Sequence, residues 1–318
     1  MPSEESPVHD CFPGIPHHVL VKARHLGRAG ADLLARLPET LGHLEHQWSL
    51  SIGKPLPRET AAYVAPVRRA DGTAAVLKLM LPDGSFAAQA DTLARADGWG
   101  SVRLLDRDDD ILAMLLEPLG DPLGAITEAP EAQIDILCET LPYAWQVPPV
   151  PADRQRADEK AASLIRDIEG GYERLHPPRR ERAVAKALAY GHRRAEAFDL
   201  GRCVVVHGDP HLRNALRALS TRAGAPSGFV FVDPDGFLAD PTYDLGVVLR
   251  DWCPEILRGD PATVAQSYCT RLAAQTGLDE TAIWEWGFID RVSTVLYLLE
   301  LGEETLARPF LKTADLLA

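Results

Sequence analysis

Residues 204–217 read VVVHGDPHLRNALR, an apolar strand-forming run that stops at Asp209 and places Asn214 five positions later. An acid and an amide from one tight loop supply oxygens of two kinds. Asp209 can accept the hydrogen bond of a substrate hydroxyl, and Asn214 can offer a carbonyl oxygen to a hard cation. Gly208 permits the sharp turn, and His207 is expected to brace the loop by hydrogen bonding, not by proton transfer. An Asx-rich turn capping the next helix would use the same residue types. A second apolar run, FVFVD, ends in Asp233, where a strand-end carboxylate is well placed to hold Mg²⁺. Asp-Pro-Asp-Gly is also strong turn chemistry, and the two roles are compatible. Lys78, in AVLKLM, alternates out of an apolar strand. Such a lysine is ordinarily a solvated outward face, yet it is also the residue type that steadies phosphates. Asp244, in ADPTYDLG, starts a helix and is placed to accept backbone N–H groups of the Asp209 loop. A lysine, a carboxylate, an amide and a second carboxylate in this chain order are the parts that phosphoryl transfer from ATP requires. The reading demands that the strands ending at 209 and 233 converge, so that their oxygens share one cation and one nucleophile.

The elements that must position these residues follow from hydrophobic periodicity. Residues 17–48 predict helix in pieces, 29–37 and 38–48, with leucines at helical spacing. From Leu50 the pattern changes to strands. Residues 61–69 and 73–80 form a β-hairpin about an Asp71–Gly72 turn, since Asp-Gly tolerates the positive φ such a turn needs. An alanine-rich helix at 85–96 follows, then strands at 101–106 and 111–117. Two prolines and a glycine at 117–122 mark a crossover. Beyond it the chain predicts helices at 131–140, 157–175 and 179–198, with a proline-rich connector at 142–151. A hairpin turning at 221–228 follows the Asp209 loop, and the chain is helical again from Tyr243. The expected division is a β-rich lobe over 1–116, a hinge at 117–122 and a helical lobe over 123–318.

Composition bounds the partners. The chain of 318 residues has ordinary apolar and charged fractions and is long enough for a substantial core. A net charge of −13 argues against nucleic acid and slightly favours a cationic small molecule. No run approaches the length of a membrane span, so no membrane association is expected. The first residues, MPSEESPVHDCFPG, lack the basic start and apolar core of a secretory signal, which points to the cytoplasm. Five cysteines, odd in number and without a CxxC pair, read as reduced thiols.

HGDPHLRN, VDPDG, ADPTYDLGVVLRDW and WEWGFIDRVST together resemble the aminoglycoside and hydroxyurea antibiotic-resistance kinases, the streptomycin 6-phosphotransferase-like group. The resemblance extends over about residues 48–301. It implies an α+β, protein-kinase-like bilobal fold with a β-rich N-terminal lobe, a helical C-terminal lobe and ATP bound between them. It further implies that Asp209 is catalytic, that Asn214 and Asp233 hold magnesium, and that Lys78 holds phosphate. Backbone groups near Glu117 and Leu119 would touch adenine. Two positions depart from the pattern. Gln89 stands where related sequences carry a glutamate that pairs with the lysine, and the nucleotide loop SIGKPLPRETAAYV contains only Gly53.

An acceptor beside Asp209 would be a small molecule, most simply a cationic antibiotic. Acidic candidates to contact it are Asp235, Asp240, Glu285 and Asp290. Trp284 and Trp286 would wall the pocket and stack on flat guanidinium groups, although both also fit a packed helix. Two other readings are compatible with the sequence: a kinase of a hydroxyurea-type compound or cellular metabolite, and a nucleotide-binding protein without turnover.

Overall fold

The computed structural model describes residues 15–56, 62–175 and 181–318. The chain separates into two compact units, residues 1–97 with 102–119, and residues 98–101 with 120–318.

The first unit is built on a five-stranded antiparallel sheet. Helices α1 (His17–His25) and α2 (Arg28–Gln47) lead into β1 (Leu50–Ile52), β2 (Ala62–Arg69) and β3 (Ala74–Met80). Helix α3 (Phe86–Ala96), β4 (Leu104–Asp108) and β5 (Ala113–Leu116) complete it, with strand order β1-β2-β3-β5-β4. The predicted hairpin is present, and Gly72 adopts φ +84° at its turn. Alternation sets the faces. Leu77 and Leu79 are buried in one cluster with Leu34, Leu37 and Leu44 of α2, while Lys78 points the other way. Helix α2 is continuous through Pro38, where the sequence suggested two pieces. A proline inside a helix forfeits a hydrogen bond and costs about 3 kcal/mol; burial of the leucine stripe outweighs that loss.

The second unit is mostly helical. It opens with β6 (Leu119–Pro122), α4 (Leu123–Ile126), α5 (Pro130–Ala144), α6 (Pro151–Gln155), α7 (Glu159–Leu175) and α8 (Glu181–Glu196). Short strands follow: β7 (Val204–Val206), β8 (Ala215–Ala218), β9 (Phe229–Phe231) and β10 (Phe237–Ala239). Helices α9 (Thr242–Arg250), α10 (Cys253–Ile256), α11 (Pro261–Thr276), α12 (Glu280–Glu300) and α13 (Glu304–Leu317) finish the chain. Strand β7 pairs with β10, and β6, β8 and β9 form a separate sheet. The segment read as a crossover is therefore partly strand. As an edge strand β6 tolerates Pro122, because an edge N–H needs no partner. Helix α5 likewise runs through Pro142 to Ala144, where the sequence suggested a connector.

Helix α12 is the axis of this unit. Ile283, Trp286, Phe288, Ile289, Val292 and Leu296 join one core with α9 residues Leu245, Val247 and Val248. The two helices meet at Gly246, where a Cβ would come within 2.4 Å of the Trp286 Cβ. Only glycine allows that approach. Among the described residues no helix is long and apolar enough to cross a membrane. Cys138, Cys203, Cys253 and Cys269 are free, as expected, and Cys11 lies outside the described residues.

Candidate active site

Strand β7 delivers the Asp209 loop, and three buried groups shape it. Gly208 sits at φ +92°, and a Cβ there would fall 2.6 Å from Asp235 Cβ and 2.9 Å from the Phe237 ring. Asp244, in the first turn of α9 and fully buried, accepts the backbone N–H groups of His207 and Gly208, each at 2.8 Å. Trp145 Nε1 donates to the same carboxylate at 2.8 Å. This is the bracing expected of Asp244, with an indole added. Burial raises the Asp244 carboxyl to about 6 despite these hydrogen bonds.

His207 also braces. Its Nε2 donates to Val232 O at 2.8 Å, and its Nδ1 accepts from the Asp209 N–H at 3.2 Å. Burial pushes its pKa down to about 4, so the ring is neutral. A depressed histidine contributes stability above the unfolded value near 6.5 that is lost as pH falls toward 4. The expected loss between pH 7.5 and pH 5 is about 2 kcal/mol. Asp244, raised to about 6 by burial, acts in the opposite sense over an overlapping range. The histidine's share is therefore read as the difference between wild type and His207→Asn in urea unfolding at the two pH values. Tryptophan fluorescence suits the measurement, because Trp99, Trp145, Trp252, Trp284 and Trp286 all lie in the second unit.

The two polar loops meet. Val232 N donates to Asn214 O at 2.9 Å, next to the His207 bond to Val232 O. Asp235 N donates to His207 O at 2.7 Å. The loops that carry Asp209 and Asp233 thus meet within one unit. The Asn214 side-chain nitrogen donates to Asp209 O at 3.0 Å, which leaves its Oδ1 as an acceptor for a cation. Asp233 follows β9 at φ +61°, a left-handed conformation that aspartate tolerates better than most residues. Such conformations persist where surrounding structure imposes them, often at functional sites. Among the described residues no three His, Cys, Asp or Glu side chains converge as metal ligands. A hard cation held by Asn214 and Asp233 would complete its shell from phosphate and water oxygens, as Mg²⁺ commonly does.

Asp209 has partners the sequence reading missed. Arg250 Nη2, at the end of α9, lies 2.8 Å from its Oδ1, and His211 Nε2 lies 3.3 Å from its Oδ2. Arg250 Nη1 reaches Asp290 at 2.9 Å and Thr294 Oγ1 at 3.2 Å, both on α12. Burial alone would raise Asp209, but the Arg250 charge and His211 outweigh it and hold the carboxyl far below its ordinary range. It therefore stays ionised. His211 was signalled by its position two residues after Asp209. No spacing in the sequence ties Arg250 to Asp209.

In the first unit, Lys78 is buried in central strand β3, with Val64 and Met114 as its register partners. It is not a solvated face. Its Nζ donates to Gln89 Oε1 of α3 at 2.5 Å, so the amide occupies the place expected for it. The Gly53 N–H is taken up by Pro66 O at 2.8 Å, extending the β1–β2 pairing. Part of the same loop, residues 57–61, lies outside the described residues. Glu117 exchanges bonds with Arg103, its N–H to Arg103 O at 3.0 Å and its Oε1 from Arg103 N at 2.8 Å. Leu119 begins β6.

The expected acceptor contacts divide sharply. Glu285 is buried and lies 2.7 Å from Arg193 and 2.6 Å from Arg194, so it is not open to a ligand. Asp290 is buried against Arg250 and acts on Asp209 through it. Asp240 accepts from Thr242 N at 2.9 Å just ahead of α9 and pairs with Arg202 at 3.0 Å. Trp284 is half-buried against the core, and Trp286 is buried edge-on to Tyr243 with ring centroids 5.3 Å apart. Of the two readings open for WEWGFID, an acceptor wall or a packed helix, the structure shows the packed helix, because α12 has neighbours on nearly every side. Asp235 remains exposed beside Asp209.

Residues 47–298 match the model of the aminoglycoside/hydroxyurea antibiotic resistance kinases. The chain belongs to this family. It is therefore a phosphotransferase, of the type that delivers phosphate to a hydroxyl acceptor. Curated family relatives span nearly its whole length. A hydroxyurea phosphotransferase from Kitasatospora aureofaciens is 29% identical over 303 residues, 94% of this chain and 84% of the relative. A streptomycin 6-kinase from Streptomyces griseus is 28% identical over 299 residues, 93% and 94% of the two chains. An aminoglycoside phosphotransferase from Streptomyces rimosus, solved in complex with ADP and streptomycin, aligns over 81% of this resistance-kinase chain and 98% of its own. Its TM-score is 0.54 at 21% identity, which establishes the protein-kinase-like α+β fold.

Proposed function

We propose that the chain is an ATP- and magnesium-dependent kinase that phosphorylates a hydroxyl of a streptomycin-like aminoglycoside and so inactivates it. The observation that carries this reading is the clasp between the Asp209 loop and the Asp233 loop through Val232, Asn214 and His207. It supports the reading because it joins the loops that carry Asp209, Asn214 and Asp233 through main-chain and imidazole hydrogen bonds. The kinase relatives named for streptomycin support the acceptor class.

Each residue then has a defined task. Asp209, kept ionised by Arg250, accepts the hydrogen bond of the acceptor hydroxyl and aims its oxygen. A carboxylate with so low a pKa is a weak base, which suits a loose transition state that needs orientation more than early proton removal. Asn214 and Asp233 hold magnesium, which supplies charge neutralisation at the phosphates when bound. Lys78, with Gln89 as its partner, steadies phosphate oxygens. Backbone groups at Glu117 and Leu119 contact adenine. The enzyme acts in the cytoplasm, where ATP is supplied.

The test is release of ADP from Mg·ATP by the purified protein across a drug panel, with product mass measured. Streptomycin gaining one phosphoryl group is the expected result, and loss of turnover on chelation of magnesium accompanies it. If no aminoglycoside is modified, the acceptor assignment is rejected. A hydroxyurea-type acceptor is the second reading, favoured by the Kitasatospora aureofaciens relative of equal similarity, and the panel includes it.

A further inference from the structure

Lys160 is the second residue of α7, and its ammonium group has an unusual setting. Its Nζ lies 4.8 Å from the centroid of the Phe237 ring and 5.0 Å from that of Tyr243. The two rings meet edge to face, 5.4 Å apart, so their π surfaces form a corner. Asp235 faces the same charge and stands next to Asp209, packed over Gly208. Among the described residues Lys160 makes no hydrogen bond or ion pair; aromatic faces and the field of Asp235 hold it there. Two aromatic faces and a carboxylate are the constituents of a cation-binding corner. Here the cation is the chain's own.

We propose that Lys160 is a specificity-determining residue: it fills a cation site beside the transfer centre, and a cationic acceptor group enters that site only by displacing it. The inference rests on the proposed kinase reading for the position of the acceptor. Displacement has somewhere to go. Lys160 also lines a surface pocket with Asp158, Asp199, Asp240 and Trp286, where carboxylates can receive a swung-out ammonium group. The acceptor's charge is thereby read by competition with a tethered lysine. A guanidinium or ammonium group gains the aromatic corner and Asp235, and loses the cost of moving Lys160. An uncharged acceptor has no claim on the site.

The experiment measures equilibrium binding of streptomycin, which carries guanidinium groups, and of hydroxyurea, which is uncharged, by titration calorimetry on the full chain. Wild type, Lys160→Met and Lys160→Gln are compared, with Asp235→Asn added to each variant. Both lysine variants should raise the ratio of streptomycin to hydroxyurea affinity by about tenfold, the scale of a cation–π site freed of its competitor. Adding Asp235→Asn should reverse most of the gain. The proposal is overturned if the ratio is unchanged or falls in the folded lysine variants, or if streptomycin binds none of the proteins. Two substitutions guard against one failing to fold. Phosphate transfer is scored separately. A shifted ratio without transfer rejects the kinase reading alone, and transfer without a shifted ratio rejects this inference alone.

Discussion

Asp209→Asn should lower kcat for the acceptor by roughly a thousandfold while leaving Mg·ATP binding nearly intact. Removing a positioned general base or hydroxyl-orienting carboxylate costs about 10²- to 10⁴-fold, and Asp209 carries that task in the proposed mechanism. The amide keeps the shape and one acceptor oxygen but loses the charge. The fold should survive, because Arg250, although buried, retains Asp290 at 2.9 Å. Nucleotide binding should survive as well, since neither Lys78 nor Asp233 is altered. Steady-state rates with the modified drug and calorimetric titration with Mg·ATP decide the matter together. A variant that keeps wild-type turnover would remove Asp209 from the reaction.

Asp244→Ala should have the largest effect on stability. The substitution strips an acceptor from the His207 and Gly208 N–H groups and from Trp145 Nε1, three donors held at 2.8 Å. Buried donors left without a partner cost about 1–3 kcal/mol each. Part of that is offset, because the burial that raises Asp244 to about 6 makes its charged form costly. A net loss of about 3 kcal/mol is expected. It should be read by urea unfolding at pH 7.5, with turnover lost in parallel, since the freed N–H groups flank Asp209. Asp244→Asn, which keeps one carbonyl oxygen, should recover part of both. Unaltered stability in the alanine variant would show that the loop is held from elsewhere.

Local signals made much of this legible. The Asp71–Gly72 turn, the apolar runs ending in Asp209 and Asp233, and an aspartate opening the next helix each carry their cause within a few residues. The bracing by Asp244 and His207 could be stated before any coordinates for that reason. Proline misled in the other direction. Pro38 and Pro142 read as breaks, and tertiary burial carries α2 and α5 through them. Periodicity also could not tell a wall from a core: α12 is apolar enough to pack on several sides, so Glu285 and Asp290 became buried partners of arginines. Contacts between distant positions were silent. Arg250 meets Asp209 across 41 residues and Asp290 across 40. Residues 98–101 join the second unit because Gly100 bonds Gly224 and Phe231, which no local pattern announces.

Arg250 couples the enzyme's activity to the integrity of its core. Its guanidinium group ties the reactive carboxylate to Asp290 and Thr294 on α12, a helix of the unit's hydrophobic core. A core helix opens only near global unfolding, so the aim of Asp209 holds until the core gives way. Heat inactivation should accordingly coincide with the melting seen by circular dichroism, and substitutions that tighten α12 should widen the working temperature range without touching any group that meets the acceptor.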